Sequence, residues 1–125
     1  MSGLTTPKFL GKIGRKEWKR IYKILKDENF DFCEKDAKAL ESYASCYETW
    51  ITCEEFLNEN GYTFETEKGY IMQRPEVAIG KKANESMRAW AKELGLTPSS
   101  RARMGKQINK NIIEDEELEG MIAHG

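Results

Sequence analysis

The most constraining feature of the sequence is a long stretch, residues 34–60, that carries two apolar stripes at helical spacing. Apolar side chains recur at intervals of three and four residues over 37–51, and a second set does so over 39–57. This spacing is typical of an amphipathic helix. Two stripes make a face wider than one partner helix covers. One stripe therefore serves the chain's own core, and the second serves either that same core or another subunit.

Shorter elements flank the long helix on both sides. The apolar spacing predicts a helix over 14–29 and a third helix from Pro75 to about residue 94, with Gly95 just past its end. Aromatic and β-branched residues on both sides of a Lys68–Gly69 turn predict a small hairpin over 62–73. Thr97 and Pro98 have the order of an N-cap and a first helical residue. The expected fold is mainly α, with an antiparallel helical core, one long central helix and a small β-hairpin.

The two ends of the sequence differ from this middle. Residues 1–13 lack an apolar period and contain glycine and proline, so we expect a flexible N-terminal arm. Residues 14–110 form the expected helical core domain. Residues 111–125, with five acids and no Lys or Arg, form an acidic C-terminal tail. Since no apolar run approaches the roughly 20 residues of a membrane span and no secretory signal is visible, we expect a cytoplasmic protein.

The residue types disfavour the common kinds of catalytic site. The single histidine, His124, lies next to the last residue, and the three cysteines form no C-x-x-C pair. Neither a phosphate-binding P-loop nor a dinucleotide-binding glycine motif is present. We therefore expect no enzymatic activity, no cofactor and no metal site.

Charge is nearly balanced in number but segregated along the chain. The sequence has 20 Lys and Arg against 21 Asp and Glu, yet residues 1–26 hold eight basic residues and one acid. Residues 81–110 hold another eight basic residues, whereas residues 27–80 hold 13 acids. Such blocks produce strong local potentials. They indicate either phosphate-binding surfaces, or solvated helix faces and subunit contacts, and the charge pattern alone leaves these alternatives open.

The order of motifs resembles that of a known family. A Lys-Glu-Trp-Lys-Arg-Ile segment at 16–21 is followed by Tyr-Ala-x-x-Tyr-x-x-Trp at 43–50, and later by Leu-Gly-Leu-Thr-Pro-Ser-Ser-Arg-Ala-Arg at 94–103. Over about residues 15–104 the chain resembles the small subunit of phage terminase, in the branch encoded by cos-type tailed phages and prophages. The 94–103 segment is the most specific part of this resemblance.

The resemblance implies a non-catalytic protein that forms rings of about eight to eleven subunits. Such a ring recognises double-stranded viral DNA at the start of packaging, in the host cytoplasm during virus assembly. It also regulates the ATPase and nuclease of its partner, the large terminase subunit.

Four sets of residues are candidates for these roles. The N-terminal DNA-binding candidates are Lys12, Arg15, Lys16, Lys19, Arg20 and Lys23. A second DNA-binding set, beside a helix start that also favours phosphate, is Arg101, Arg103 and Lys106. The candidate subunit contacts on the long helix are Tyr43, Cys46, Tyr47, Trp50, Cys53 and Leu57. The acidic tail is a candidate contact for the large subunit, or a DNA mimic that covers a basic surface. Its candidate residues are Glu114, Asp115, Glu116, Glu117 and Leu118.

Two other interpretations remain open on the sequence. One is a dimeric helical transcriptional regulator that binds paired DNA half-sites, and the other is a protein interaction module without DNA binding. The mass of the oligomer separates a dimeric regulator from a ring. DNA binding at low salt separates both from an interaction module.

Overall fold

The computed structural model describes residues 4–28 and 36–103, and its centre is the long helix that the sequence predicts. The helices are α1 (Lys12–Asp27), α2 (Ala37–Asn60), α3 (Pro75–Glu93) and α4 (Pro98–Arg103). The strands are β1 (Thr63–Glu65) and β2 (Ile71–Gln73), which pair antiparallel. The mainly α fold with one long helix and a small hairpin is confirmed.

Local signals in the sequence set where the helices begin and end. Gly61 ends α2 with φ 84°, and its N–H donates to the Leu57 carbonyl at 2.8 Å. Gly95 ends α3 in the left-handed region, and the next residue's N–H reaches back to the Ala91 carbonyl at 2.9 Å. A residue without a Cβ adopts these conformations at little cost. Pro75 is the first residue of α3, as predicted.

Helices α2 and α3 run antiparallel and pack along their length. Cys53 lies beside Gly80, where an added Cβ would be only 3.0 Å from the Cys53 Cβ. Seven residues earlier on α2, Cys46 shares a groove with Ser86 and Trp90 of α3. Gly80 therefore permits a close approach of two helices that the hairpin connects.

The core lies where α1 crosses the first half of α2 and the end of α3. Trp18, Ile21 and Leu25 of α1 are buried there against side chains from the other helices. Those partners are Leu40, Tyr43, Ala44, Met87, Ala91, Leu94 and Leu96. Burying each large apolar side chain contributes about 1.5–3 kcal/mol, so this junction holds α1 on the α2–α3 pair.

The non-helical segment before α1 also packs on this core. Residues 4–11 belong to the segment expected to be a flexible arm, and Leu10 within it is 2% exposed. The Leu4 N–H donates to the Tyr22 hydroxyl at 3.1 Å. The Arg15 guanidinium donates to the carbonyls of Leu10 and Lys8, at 2.8 and 3.1 Å. One buried leucine and these hydrogen bonds fix the segment without any periodic pattern.

The hairpin projects at the far end of the α2–α3 pair. Arg74 holds its base, because its guanidinium donates to the carbonyls of Gly61 and Asn60 and lies over the rings of Phe56 and Phe64. Several large apolar side chains on and beside the hairpin are at least half exposed, and we call them the hairpin patch: Tyr62, Tyr70, Ile71, Met72 and Ile79.

Candidate nucleic-acid interface

One face of α1 carries a straight row of lysines. The residues follow one another at intervals of four, three, four and three, which places them on one side of a helix. All are exposed, whereas Trp18, Ile21 and Leu25 on the opposite side are buried. At 1.5 Å per residue the row is about 21 Å long. This lysine stripe consists of Lys12, Lys16, Lys19, Lys23 and Lys26.

None of the five lysines forms an ion pair within residues 4–28 and 36–103. The ion pairs found there join Arg20 to Glu17 and Lys38 to Glu41. Lys26 instead lies over the Tyr22 ring, 5.5 Å from its centroid. Lysines spaced by four residues repel one another by a few tenths of a kcal/mol per pair. The stripe is thus a surface of unopposed positive charge that a row of phosphates would neutralise.

The two arginines of the N-terminal candidate set are held by the chain itself. Arg20 donates to both carboxylate oxygens of Glu17 at 3.0 Å, and the Tyr43 hydroxyl donates to the same carboxylate at 2.6 Å. Burial and then the charge of Glu17 raise the pKa of Tyr43 well above its ordinary value, so this hydroxyl stays a donor. Arg15 is held by the carbonyls of Leu10 and Lys8. The structure thus brings together only the four lysines of that set.

Lys26 belongs with those four lysines, although it was not among the predicted site residues. It lies on the same face of α1 and is equally exposed. The regular interval of three and four residues that links it to Lys23 is visible in the sequence and would have identified it.

A carboxylate from α2 closes the N-terminus of α1. Glu48 accepts the backbone N–H groups of Gly11 and Gly14, both at 3.0 Å. A Cβ at Gly11 would lie 2.5 Å from the Glu48 Oε2 atom, and a Cβ at Gly14 would lie 3.1 Å from its Oε1 atom. The two glycines therefore leave room for the carboxylate. Because Glu48 already binds these two N–H groups, a phosphate at α1 would have to be bound by the lysine side chains.

The structure describes only the backbone of part of the second DNA-binding candidate set. Arg101 and Arg103 belong to α4, but their side chains are not described, and Lys106 lies beyond residue 103. At the start of α4 the Ser100 N–H donates to the Thr97 hydroxyl at 3.2 Å, which confirms Thr97 as the N-cap. The Thr97 N–H donates in turn to the Ser100 hydroxyl, and both side chains are buried. The N–H groups of Thr97 and Ser100 therefore have no hydrogen bond left to offer a phosphate.

The candidate subunit contacts on α2 divide into two groups. Tyr43, Cys53 and Leu57 are buried within one chain. Cys46, Tyr47 and Trp50 are half-buried. The Tyr47 ring lies between the rings of Tyr43 and Trp50, with centroid distances of 6.3 and 6.2 Å. Only the half-buried group retains surface that another subunit could cover.

The hairpin patch is a second apolar surface that the sequence did not reveal as exposed. Tyr70 and Ile71 are 67% and 66% exposed, more than most large apolar side chains in a folded chain. The sequence placed these residues on a hairpin, but it did not show which hairpin side chains would pack on the helices.

No group of three or more His, Cys, Asp or Glu side chains within the described residues has the arrangement of a metal site. Burial raises the pKa of the Cys46 and Cys53 thiols, which favours their less reactive protonated form. Within the same residues no helix is both long and apolar enough to cross a membrane. The tail candidates, residues 114–118, lie outside the described part of the chain.

The fold and this surface define a small helical protein with a basic face. Residues 14–111 match the family model described as phage terminase, small subunit. No curated protein and no solved structure matches the chain. Because the match covers most of the sequence, the chain belongs to the phage terminase small subunit family.

Proposed function

We propose that this chain recognises double-stranded viral DNA at the start of genome packaging and regulates the large terminase subunit. It does so as a non-catalytic, ring-forming small subunit in the host cytoplasm during virus assembly. Family membership supports the packaging role. The observation that carries the DNA-binding part is the lysine stripe, five exposed lysines on one face of α1 without an acid partner in the described residues.

Lysines in a row suit the phosphate backbone better than the base edges. Lysine contacts mainly position a protein on phosphate, whereas arginine reads guanine with two hydrogen bonds. Arg15 and Arg20 are occupied by contacts within the chain. Each α1 should therefore bind DNA with little preference for sequence. The specificity of packaging initiation would arise from several subunits that engage one DNA together.

Two partly exposed apolar surfaces support the assembly of subunits. These are the half-buried group Cys46, Tyr47 and Trp50 on α2 and the hairpin patch at the far end of the molecule. Exposed apolar surface of this kind is typical of protein interaction sites. In a ring, contacts that are weak in one subunit add up to useful affinity.

The contact with the large subunit is proposed for the acidic tail. Its residues are Glu114, Asp115, Glu116, Glu117 and Leu118. A segment with several carboxylates and an apolar side chain suits a basic, partly apolar groove on a partner. Membership of a small subunit family supports association with a large subunit.

The salt dependence of DNA binding tests the role of the lysine stripe. Five lysine–phosphate contacts predict a slope of about −4.5 for log K against log salt, per subunit engaged. Raising salt from 50 to 200 mM should then weaken binding by about 500-fold. The triple substitution K16Q/K19Q/K23Q leaves two contacts and should reduce the slope to about −2.

A matched control removes the same charge elsewhere. K68Q/K81Q/K82Q changes three exposed lysines on the hairpin turn and α3. We expect its slope to stay near −4.5. Equal slopes for the two triple variants, at unchanged oligomer mass, would reject the lysine stripe as the DNA-binding surface.

A further inference from the structure

None of the lysines of the lysine stripe forms an ion pair in the described part of its own chain. Helix α1 contacts the first half of α2, where Glu48 is already bound to Gly11 and Gly14. On α1 itself Glu17 is buried and held by Arg20 and Tyr43. Of the acids near the stripe, Glu17, Glu48 and Glu41 are therefore committed to structural contacts, whereas Asp27 is exposed at the end of α1 beside Lys26.

The exposed acids at the other end of the molecule do not neutralise the lysine stripe. They lie on the second half of α2 and on the hairpin, beyond the region that α1 contacts. They are Glu54, Glu55, Glu59, Glu65 and Glu67.

The acidic tail has the composition that the lysine stripe would attract. Residues 114–119 contain five carboxylates, and residues 111–125 contain no Lys or Arg. Opposite charges at this density attract strongly at low ionic strength. At about 0.1 M salt, the attraction is largely screened beyond about 10 Å. The tail is thus opposite to the stripe in sign and equal to it in number of charges.

The tail is also long enough to reach the stripe. Helix α4 begins directly after Leu94 and Leu96, which share the core with Trp18 and Ile21 of α1. The eleven residues from Arg103 to Glu114 span at most about 36–40 Å when extended. That reach exceeds the roughly 21 Å length of the stripe together with the roughly 10 Å diameter of a helix.

We infer that residues 114–119 dock on the lysine stripe of the same chain when DNA is absent, and that DNA must displace them. The contact itself rests on charge and reach alone, whereas its effect on DNA binding rests on the proposed function. The tail thereby restrains DNA binding at low salt, and any partner that takes up the tail frees the stripe.

Neutralising the tail in the full-length chain tests the effect on DNA. The variant E114Q/D115N/E116Q/E117Q/E119Q changes the formal net charge from −1 to +4. The control E54Q/E55Q/E59Q/E65Q/E67Q makes the same change at the far end of the molecule. We expect the tail variant to bind a short DNA duplex about tenfold more tightly than the unchanged protein at 50 mM salt. The affinity of the control variant should rise by less than about threefold. Equal tightening in the two variants would overturn the inference, since it would reflect net charge alone.

Carbodiimide cross-linking without DNA tests the contact directly. Mass spectrometry should find tail carboxylates joined to the stripe lysines in preference to Lys68, Lys81 and Lys82. In a mixture of ¹⁴N- and ¹⁵N-labelled protein, these links should join peptides of the same label. An even distribution over all lysines, or links mainly between labels, would overturn the inference.

The two experiments also separate this inference from the proposed function. Preferential tail–stripe cross-links in a protein that does not bind DNA would uphold the contact and reject the DNA-binding role. DNA binding with a steep salt dependence that requires the stripe lysines, but without such cross-links, would uphold the DNA-binding role and reject the contact between tail and stripe.

Discussion

At the scale of single residues, two carboxylates in the basic half of the molecule determine how its charge is displayed. Glu17 accepts hydrogen bonds from Arg20 and Tyr43, and Glu48 accepts those of Gly11 and Gly14. Charge-assisted hydrogen bonds of this kind are stronger than neutral ones. Because these two acids are bound elsewhere, neither of them pairs with the lysine stripe.

The cap provided by Glu48 makes a testable contribution to stability. Replacing Glu48 by Ala leaves the N–H groups of Gly11 and Gly14 without their partner, and N-cap loss typically costs about 0.5–2 kcal/mol. We expect urea unfolding of E48A to show a loss of about 1–2 kcal/mol. The control E55A changes an exposed acid of the same helix and should change stability by less than about 0.5 kcal/mol. Equal effects in the two variants would show that the cap does not stabilise α1.

At the scale of elements, the contact between α2 and α3 depends on the absence of a side chain at Gly80. A Cβ there would lie 3.0 Å from the Cys53 Cβ, which is fixed to the backbone of α2 and cannot turn aside. The helices would have to separate, and overpacking of this kind typically costs about 1–3 kcal/mol.

The substitution Gly80→Ala tests this packing against helix propensity. Propensity alone predicts that Ala stabilises α3 by about 1 kcal/mol. We expect the steric clash to outweigh the gain in helix propensity. The melting temperature of G80A should therefore be several degrees lower than that of the unchanged protein. A useful control is A78G, at an exposed position on the same helix, which should lose about 1 kcal/mol from propensity alone. A higher melting temperature for G80A would show that the helices adjust without cost.

The elements themselves could be predicted because their signals are local. Pro75, Gly61, Gly95 and Thr97 mark helix ends through backbone conformation or hydrogen bonds to near neighbours. Contacts between distant residues gave no such signal. The cap from Glu48 to Gly11 joins residues 37 positions apart, and neither its spacing nor its residue types identify it.

The candidate site could be predicted only where its residues follow from a local pattern in the sequence. Four of its lysines follow from the helical period of α1. The exclusion of Arg20 depends on its ion pair with Glu17 and on the hydroxyl of Tyr43, which comes from another helix. Likewise, the burial of Cys53 and Leu57 follows from the approach of α3, so the sequence could not separate core residues from subunit contacts on α2.

At the scale of the whole molecule, charge and apolar surface occupy different regions. The lysine stripe lies on α1, at the end where α1 crosses α2, whereas the hairpin patch and the exposed acids of α2 lie at the other end. Contact between unlike surfaces of successive subunits is heterologous, and it closes into a ring when the rotation between subunits permits. A closed ring would repeat the lysine stripe around its circumference and present it to DNA many times.

The absolute mass of the purified protein tests this account most directly. With a chain mass of 14.4 kDa, native mass spectrometry should find one discrete assembly of about eight to eleven subunits, near 115–160 kDa. The measurement should be made without DNA and at several protein concentrations, because a closed ring keeps its mass on dilution. A monomer or dimer at every concentration would contradict the account, since the lysine stripe would then lack the repetition on which its use in packaging depends.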